Sequence, residues 1–381
     1  MKILFIVPSY KPAYIYGGPI ISVSRLAEGL ANLGHRVMVY TTTANGEQEL
    51  NVPIKETQVV NGVEVKYFPR ITKDHTHVSP SLWGSTWATA KDYDVVHIHS
   101  WWNFLVMGAS LICSMKGIRP VLSPRGVLCD FVFNHKNKLS KKILHNILGK
   151  HLLRRTYLHT TSDMERDDCL RIHNGWDNEI IYNLVSLPEG SYARKPNEVF
   201  TISFFSRIHP KKGLDILLLA LSKVDFPFRL QIAGDGDAAY LEELRRLIAQ
   251  LGLEEKVEWA GWKDKEEKFS FLAGSDLFAL TSHNENFAMV VLESLAVGTP
   301  VLVSEHVGLA PYVRRNNLGW VTGIDHVDEV VNKLTAAYND HAARARINEA
   351  AIVQVQEDFN EKRLASDYVS MYRQSVKKQA S

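Results

Sequence analysis

The stretch LFALTSHNENFAMVVLESLAVGTPVLVS, residues 277–304, sets the reading of the whole chain. Leu277–Leu280 is an apolar run of strand length, and a polar loop follows it. A helical stretch then ends at Gly298-Thr299-Pro300, where glycine frees the backbone to turn and proline forbids further helix. Val301–Ser304 is a second strand-like run. Strand, helix and strand in so short a span make a parallel α/β unit, because two parallel strands need a crossover and a helix usually supplies it.

The same alternation extends in both directions. Upstream, strands are expected at Phe200–Phe205, Arg229–Ala233 and Val257–Ala260, with helices such as Tyr240–Leu251 between them. In the first half, Lys2–Val7 reads as a buried strand, a loop with Gly17-Gly18-Pro19 follows, and a helix from Ser22 to Leu33 stops at Gly34. Val37–Thr41, Val63–Phe68, Val95–Ile98, Val121–Ser123, Leu158–Thr161 and Ile180–Leu184 are further strands. Pro188, Gly190 and Pro196 punctuate a polar stretch without periodicity, which reads as a linker. The expectation is an α/β protein of two doubly wound domains, residues 1–186 and 187–360, plus a tail helix over about 361–381 that carries Leu364, Tyr368, Met371 and Tyr372 on one face. Open parallel sheets bind ligands beyond the carboxyl ends of their strands, so the informative residues belong in post-strand loops facing a cleft between the domains.

Composition narrows the function classes. The 381 residues bury enough surface to need no disulfide or metal staple, and a net charge of +2 gives no global case for nucleic-acid binding. Cys113, Cys129 and Cys169 are odd in number and far apart, the pattern of reduced buried thiols rather than of a disulfide framework or zinc site. The opening apolar run stops at Pro8, too short for a signal segment, and no stretch reaches the ~20 apolar residues that span a bilayer. A cytoplasmic protein is expected, able to rest on the inner membrane surface.

Three post-strand loops carry chemistry. After Leu277–Leu280, Glu285-Asn286-Phe287-Ala288 leads into a helix bearing Glu293. If that helix opens at Asn286, the amides of Asn286, Phe287 and Ala288 offer an anion or hydroxyl site. Eight helical residues would set the two carboxylates ~12 Å apart, beyond the ~5–9.5 Å of a glycosidase acid–base pair, but suited to two ends of one extended ligand. After Phe200–Phe205, Arg207 and Lys212 join a fork and a compact point charge, a set that suits a diphosphate. After Arg229–Ala233, Gly234-Asp235-Gly236 is no dinucleotide fingerprint, since Ala239 stands where the last glycine would be, but its glycines allow close backbone approach. Asp235-Gly236-Asp237 has the form of a metal-binding D-x-D, yet it sits within that glycine turn.

Glu285-x7-Glu293, Arg207 with Lys212-Gly213, Gly17-Gly18 and Val297-Gly298-Thr299-Pro300-Val301 resemble glycosyltransferase family four, over nearly the whole chain. Asp94-Val95-Val96-His97-Ile98-His99 resembles that family's first-domain strand pattern, and Ser162 with Glu165 its S-x-x-E. The resemblance implies the GT-B architecture: two facing Rossmann-like domains with the tail helix crossing back to the first. It implies a retaining, metal-independent transfer of a sugar from a UDP-sugar, with UDP-glucose the favoured donor, to a glycan or lipid-linked acceptor in polysaccharide biosynthesis. No cofactor beyond the nucleotide-sugar co-substrate is implied. Arg207 and Lys212 would neutralise the donor diphosphate, Glu285 would face the transferred sugar, and Glu293 would bind the ribose hydroxyls. The backbone around Gly261-Trp262 would meet the base, and Gly17 and Gly18 would close on the phosphates. An epimerase of the same fold, or a non-catalytic nucleotide-sugar or glycan-binding protein, is the competing reading.

Two features depart from the family pattern. Ser123-Pro124-Arg125-Gly126 stands where many members carry a histidine, so Arg125 becomes a candidate sugar or phosphate contact. The histidine role is not carried over to His97 or His99, which lie at a strand end, though His99 is a further candidate contact. Ile181-Tyr182-Asn183-Leu184 replaces a usual P-N-G. Residues 134–155 hold seven Lys or Arg and no acid, with Leu139, Ile143, Ile147 or Leu148, and Leu152 at helical spacing. Such a basic amphipathic helix suits either contact with an anionic membrane or a core-facing helix with a solvated basic side.

Overall fold

A computed structural model describes residues 1–129, 144–188, 190, 192 and 196–380. The chain divides into two compact units, one of Met1–Val185 with Phe359–Ser381 and one of Ser186–Asp358. The last segment of sequence therefore belongs to the first unit.

In the first unit β1 (Lys2–Ile6) is the sheet's central strand, and Ile3, Leu4, Phe5 and Ile6 are fully buried. A strand covered on both faces reads as an unbroken apolar run, and this one does. In chain order follow α1 (Gly18–Asn32), β2 (Arg36–Thr42), the hairpin strands β3 (Ala44–Asn45) and β4 (Gln48–Glu49), β5 (Thr57–Val60) and β6 (Val63–Phe68). Then come α2 (Pro80–Thr89), β7 (Val95–His99), α3 (Phe104–Met115), β8 (Val121–Ser123), α4 (Lys150–Leu153), β9 (Tyr157–Thr160), α5 (Asp163–Ile172) and β10 (Asn178–Ile180). The sheet order is β10-β9-β8-β7-β1-β2-β6-β5, parallel except where β5 pairs with β6. The order reverses between β1 and β7, which opens a crevice at their carboxyl ends. The strand expected at Ile180–Leu184 instead lies at Asn178–Ile180, where β9 offers its backbone; beyond Ile180 the chain has run past the end of β9.

The second unit contains β11 (Phe200–Phe205), α6 (Leu214–Leu221), β12 (Phe228–Ala233), α7 (Ala238–Gln250), β13 (Val257–Gly261), α8 (Lys265–Ala273), β14 (Leu277–Leu280) and α9 (Met289–Ala296). It continues with β15 (Val301–Ser304), α10 (Ala310–Arg315), β16 (Gly319–Thr322), α11 (Val327–Asn339) and α12 (His341–Asp358). Its all-parallel sheet runs β13-β12-β11-β14-β15-β16, with the reversal between β11 and β14.

The tail helix α13 (Glu361–Ala380) docks in the first unit. Tyr368 and Tyr372 are fully buried there, and α1 comes close enough that a Cβ on Gly29 would lie 2.6 Å from Leu184 and 3.6 Å from Ala365. Lys378 donates to Asp177, which Arg119 also holds, each at 2.8 Å. Cys113, Cys129 and Cys169 are buried thiols, none of them in a disulfide. No helix of the described residues is long and apolar enough to cross a membrane.

Candidate functional site

The second unit brings its charged residues to the topological switch. Arg207 and Lys212 follow β11, and Glu285 follows β14, the two strands between which the order reverses. Gly213 makes this possible. It adopts φ +67°, and a Cβ there would sit 2.0 Å from the Thr281 carbonyl oxygen. The turn is tied to the β14 loop by Thr281 Oγ1 donating to Gly213 O at 2.7 Å and by His283 N donating to Lys211 O at 2.9 Å. Lys212 Nζ consequently reaches Glu285 Oε1 in an ion pair, and both side chains are more than four-fifths buried. Glu285 is fixed by its backbone, which donates to His306 O at 2.9 Å and accepts from Gly308 N at 2.7 Å. Arg207 is exposed, and no carboxylate pairs with it among the described residues.

Gly234 and Gly236 do serve a close backbone approach, but to the chain itself. A Cβ on Gly234 would fall 1.9 Å from Ser206 O, and one on Gly236 would fall 2.2 Å from Ile208 O. They seat the loop that carries Arg207. The D-x-D form dissolves into local structure: Asp237 Oδ1 caps α7 by accepting from Ala239 and Tyr240 amides at 3.0 and 3.3 Å, and Asp235 Oδ1 accepts from Gly236 N at 2.8 Å.

The helix expected to open at Asn286 starts at Met289. Ala288 takes the left-handed conformation, φ +63° and ψ 72°, which no helix continues through. The amides of Asn286, Phe287 and Ala288 thus precede the helix, and Glu285 lies outside it, so the helical rise does not set the Glu285–Glu293 separation. Phe287 is buried and anchors the loop. Glu293, on α9, pairs with Lys268 of α8 at 2.6 Å. No sequence motif announced Lys268; its helical position after the Gly261-Trp262 loop was the one available signal. Gly261 turns at φ +69°, Trp262 is 69% exposed, and Lys263, Glu267, Ser270 and Phe271 line an open concavity of about 540 Å³ alongside.

In the first unit, the crevice between β1 and β7 receives the glycine loop and His99. Gly17, at φ +67° and ψ −134°, is accessible in practice only to glycine; it caps α1, whose first residue is Gly18. Both are exposed. His99 is 2% exposed, packs edge-on against Phe5, and its Nε2 has no partner among the described residues. Arg125 turns inward at φ +58°, donating to Asn183 Oδ1 and lying 3.4 Å from His99 Nδ1. Glu165 holds this loop by accepting from Gly126 N at 2.6 Å and from Thr161 N at 2.8 Å, so the S-x-x-E motif is a structural tie beside Arg125.

Behind His99 lies a buried network: Tyr372 hydroxyl to His97 Nδ1 at 2.8 Å, His97 Nε2 to Ser123 Oγ at 2.6 Å, and Ser123 Oγ to His159 Nδ1 at 2.6 Å. Burial lowers all three histidines, His97 and His99 well below the usual imidazole range and His159 to about 3, with Arg125 lowering each further.

Much of the basic 134–155 stretch, residues 134–143, lies outside the described residues. Of the remainder, Leu152 and Leu153 enter the core and Leu148 packs against it, while Ile147, Lys150, His151 and Arg154 are exposed.

Two family models match the chain in succession. "Glycosyltransferase Family 4" covers residues 16–188, and "Glycosyl transferases group 1" covers residues 192–354. The chain belongs to the family-four glycosyltransferases and has their two-domain GT-B fold. It is 27% identical to the uncharacterized glycosyltransferase MJ1607 of Methanocaldococcus jannaschii, across 98% of both chains. In fold it is similar to Anabaena Alr3699/HepE in complex with UDP and glucose, with TM-score 0.72 and 20% identity over 98% of this chain and 100% of that one. It is likewise similar to WaaG, a glycosyltransferase involved in lipopolysaccharide biosynthesis, with TM-score 0.66 and 18% identity over 96% and 99% of the two chains.

Proposed function

We propose that this glycosyltransferase moves a sugar from a UDP-sugar, most simply UDP-glucose, to a glycan or lipid-linked acceptor in polysaccharide assembly, with retention of configuration and without a metal. The observation that carries the reading is the Lys212–Glu285 pair at the β11/β14 switch, with Arg207 exposed on the adjoining loop. Glu285 compensates Lys212, since a cation so far removed from water needs a counter-charge. A donor diphosphate brings more negative charge than one carboxylate and takes over Lys212 and Arg207. Glu285 is then released to accept hydrogen bonds from the hydroxyls of the transferred sugar.

As the glycosidic bond breaks, charge develops on the diphosphate, and two fixed cations stabilise it as a metal would elsewhere. Metal independence is supported by the use of Asp237 as a helix cap, which leaves the D-x-D form without a free pair of carboxylates. Glu293 takes the ribose hydroxyls, the Gly261-Trp262 loop and its concavity take the base, and Gly17 and Gly18 approach the phosphates. His99 and Arg125 are candidate contacts to the sugar or acceptor. The likeness to Anabaena Alr3699/HepE, seen in complex with UDP and glucose, and to WaaG, involved in lipopolysaccharide biosynthesis, supports the donor and pathway class. The exposed basic face at Lys150–Arg154 supports contact with an anionic cytoplasmic membrane surface, checked by co-sedimentation with anionic against neutral vesicles.

The test is transfer from a panel of nucleotide sugars by wild type and Lys212→Ala. Loss of one such cation is expected to lower turnover about 10²–10³-fold with the fold intact. Near-native turnover in the variant refutes the role, and release of an isomerised nucleotide sugar without any acceptor marks an epimerase instead.

A further inference from the structure

Glu293 sits in the second turn of α9 with its side chain 12% exposed, and Lys268 Nζ, itself 17% exposed, donates to its Oε1 at 2.6 Å. A carboxylate this far from water is stable only with a partner, and a partner on a separate helix also decides where the carboxylate points. Lys268 occupies one lone-pair site of Oε1. Among the described residues nothing donates to Oε2, so that oxygen is free for incoming hydroxyls.

The helix that carries Lys268 is held at both ends. At its start Asp264 and Glu267 cap each other, with Glu267 N donating to Asp264 Oδ1 at 2.9 Å and Asp264 N donating to Glu267 Oε2 at 3.2 Å. At its end Thr299 Oγ1 donates to Leu272 O at 2.8 Å, which binds α8 to the turn that closes α9. Buried Phe269 and Leu272 fix its rotation. The Gly261-Trp262 loop runs directly into this cap, so one short segment carries both the base-facing loop and the cation that aims the carboxylate.

We propose that Lys268 is a positioning residue: it aims the Glu293 carboxylate at the ribose and so makes the protein select a ribonucleoside diphosphate over its deoxy counterpart. This rests on the reading that Glu293 meets the ribose. A carboxylate with one oxygen held by an ammonium offers fixed acceptors to two vicinal hydroxyls; freed from it, the side chain spreads over several rotamers and the acceptors lose their register.

Calorimetric titration of wild type, Lys268→Met and Lys268→Arg with UDP and with 2′,3′-dideoxyuridine diphosphate tests this. Wild type should favour UDP by about 10- to 100-fold, the range of a charge-assisted pair of hydrogen bonds. Lys268→Met should lose most of that preference while its affinity for the dideoxy compound changes less than about threefold, and Lys268→Arg should recover it. A methionine variant that keeps the wild-type preference, or weakens on both compounds equally, overturns the proposal. Should it not fold, Lys268→Gln is read the same way, an unchanged preference again being fatal. Wild type that binds UDP without preferring it to the dideoxy compound removes the ribose reading and this inference together, whereas wild type that binds neither removes the nucleotide-sugar reading itself.

Discussion

Replacing Gly213 by alanine probes how the second unit brings Lys212 to Glu285, and Gly252 provides the control. Both glycines lie in the same unit at nearly equal φ, +67° and +65°. A Cβ on Gly252 meets nothing within 4 Å, whereas one on Gly213 would stand 2.0 Å from the Thr281 carbonyl oxygen. At Gly252 the cost is the left-handed backbone alone, about 1–2 kcal/mol, offset by about 0.4–1 kcal/mol from a less flexible unfolded chain. Gly213→Ala adds the displacement of a backbone carbonyl, at about 1–3 kcal/mol for overpacking. At roughly 2–4 °C per kcal/mol for a domain of this size, Gly252→Ala should lower the melting temperature by about 0–6 °C and Gly213→Ala by about 2–18 °C, the added ~1–3 kcal/mol making the second loss the larger. Differential scanning calorimetry measures both, and a transfer assay should show the activity of Gly213→Ala falling further than that of Gly252→Ala. Equal losses of stability in the two variants would refute the argument that the Thr281 contact fixes this turn.

Two more perturbations follow from the same geometry. His97, His99 and His159 are held neutral by burial, so between their depressed values and about pH 6.5 the unfolded chain binds protons that the folded chain refuses. Their contribution is complete above pH 6.5 and is lost as pH falls toward 4, by up to about 1.4 kcal/mol per unit for each histidine; the first unit should melt several degrees lower at pH 5 than at pH 7.5, and an unchanged melting temperature would contradict it. Asp237→Ala should cost about 0.5–2 kcal/mol through loss of the α7 cap and leave sugar transfer insensitive to added chelator, as in wild type; a chelator effect that disappears with this substitution would restore Asp237 as a metal ligand.

The sequence spoke clearly where chemistry is local. Strand cores such as Ile3–Ile6 and Leu277–Leu280 are short apolar runs bounded by loops, and the loops after them carry Arg207, Lys212 and Glu285 as charged residues at strand ends. Three things were hidden because they depend on long-range placement. The break before Met289 comes from Ala288, a residue with no intrinsic preference for the left-handed region, so the start expected at Asn286 lies three residues before the helix. The close approach afforded by Gly234 and Gly236 is satisfied by Ser206 and Ile208, which only the folded sheet brings near. Lys268 and Glu293 meet because α8 packs on α9, and nothing in the sequence between them, at a separation of 25, signals the pair.

That Phe359–Ala380 completes the first unit has a consequence for synthesis on the ribosome. The about 170 residues of the second unit are continuous and can condense as soon as they emerge, while Gly29, His97 and Leu184 must wait for the final helix. At ~5–20 residues per second that interval is about 10–40 s, during which the earlier-made portion has a bare apolar flank. Any chaperone that attends this chain should therefore engage its older half, and release it only after the last turn has been translated.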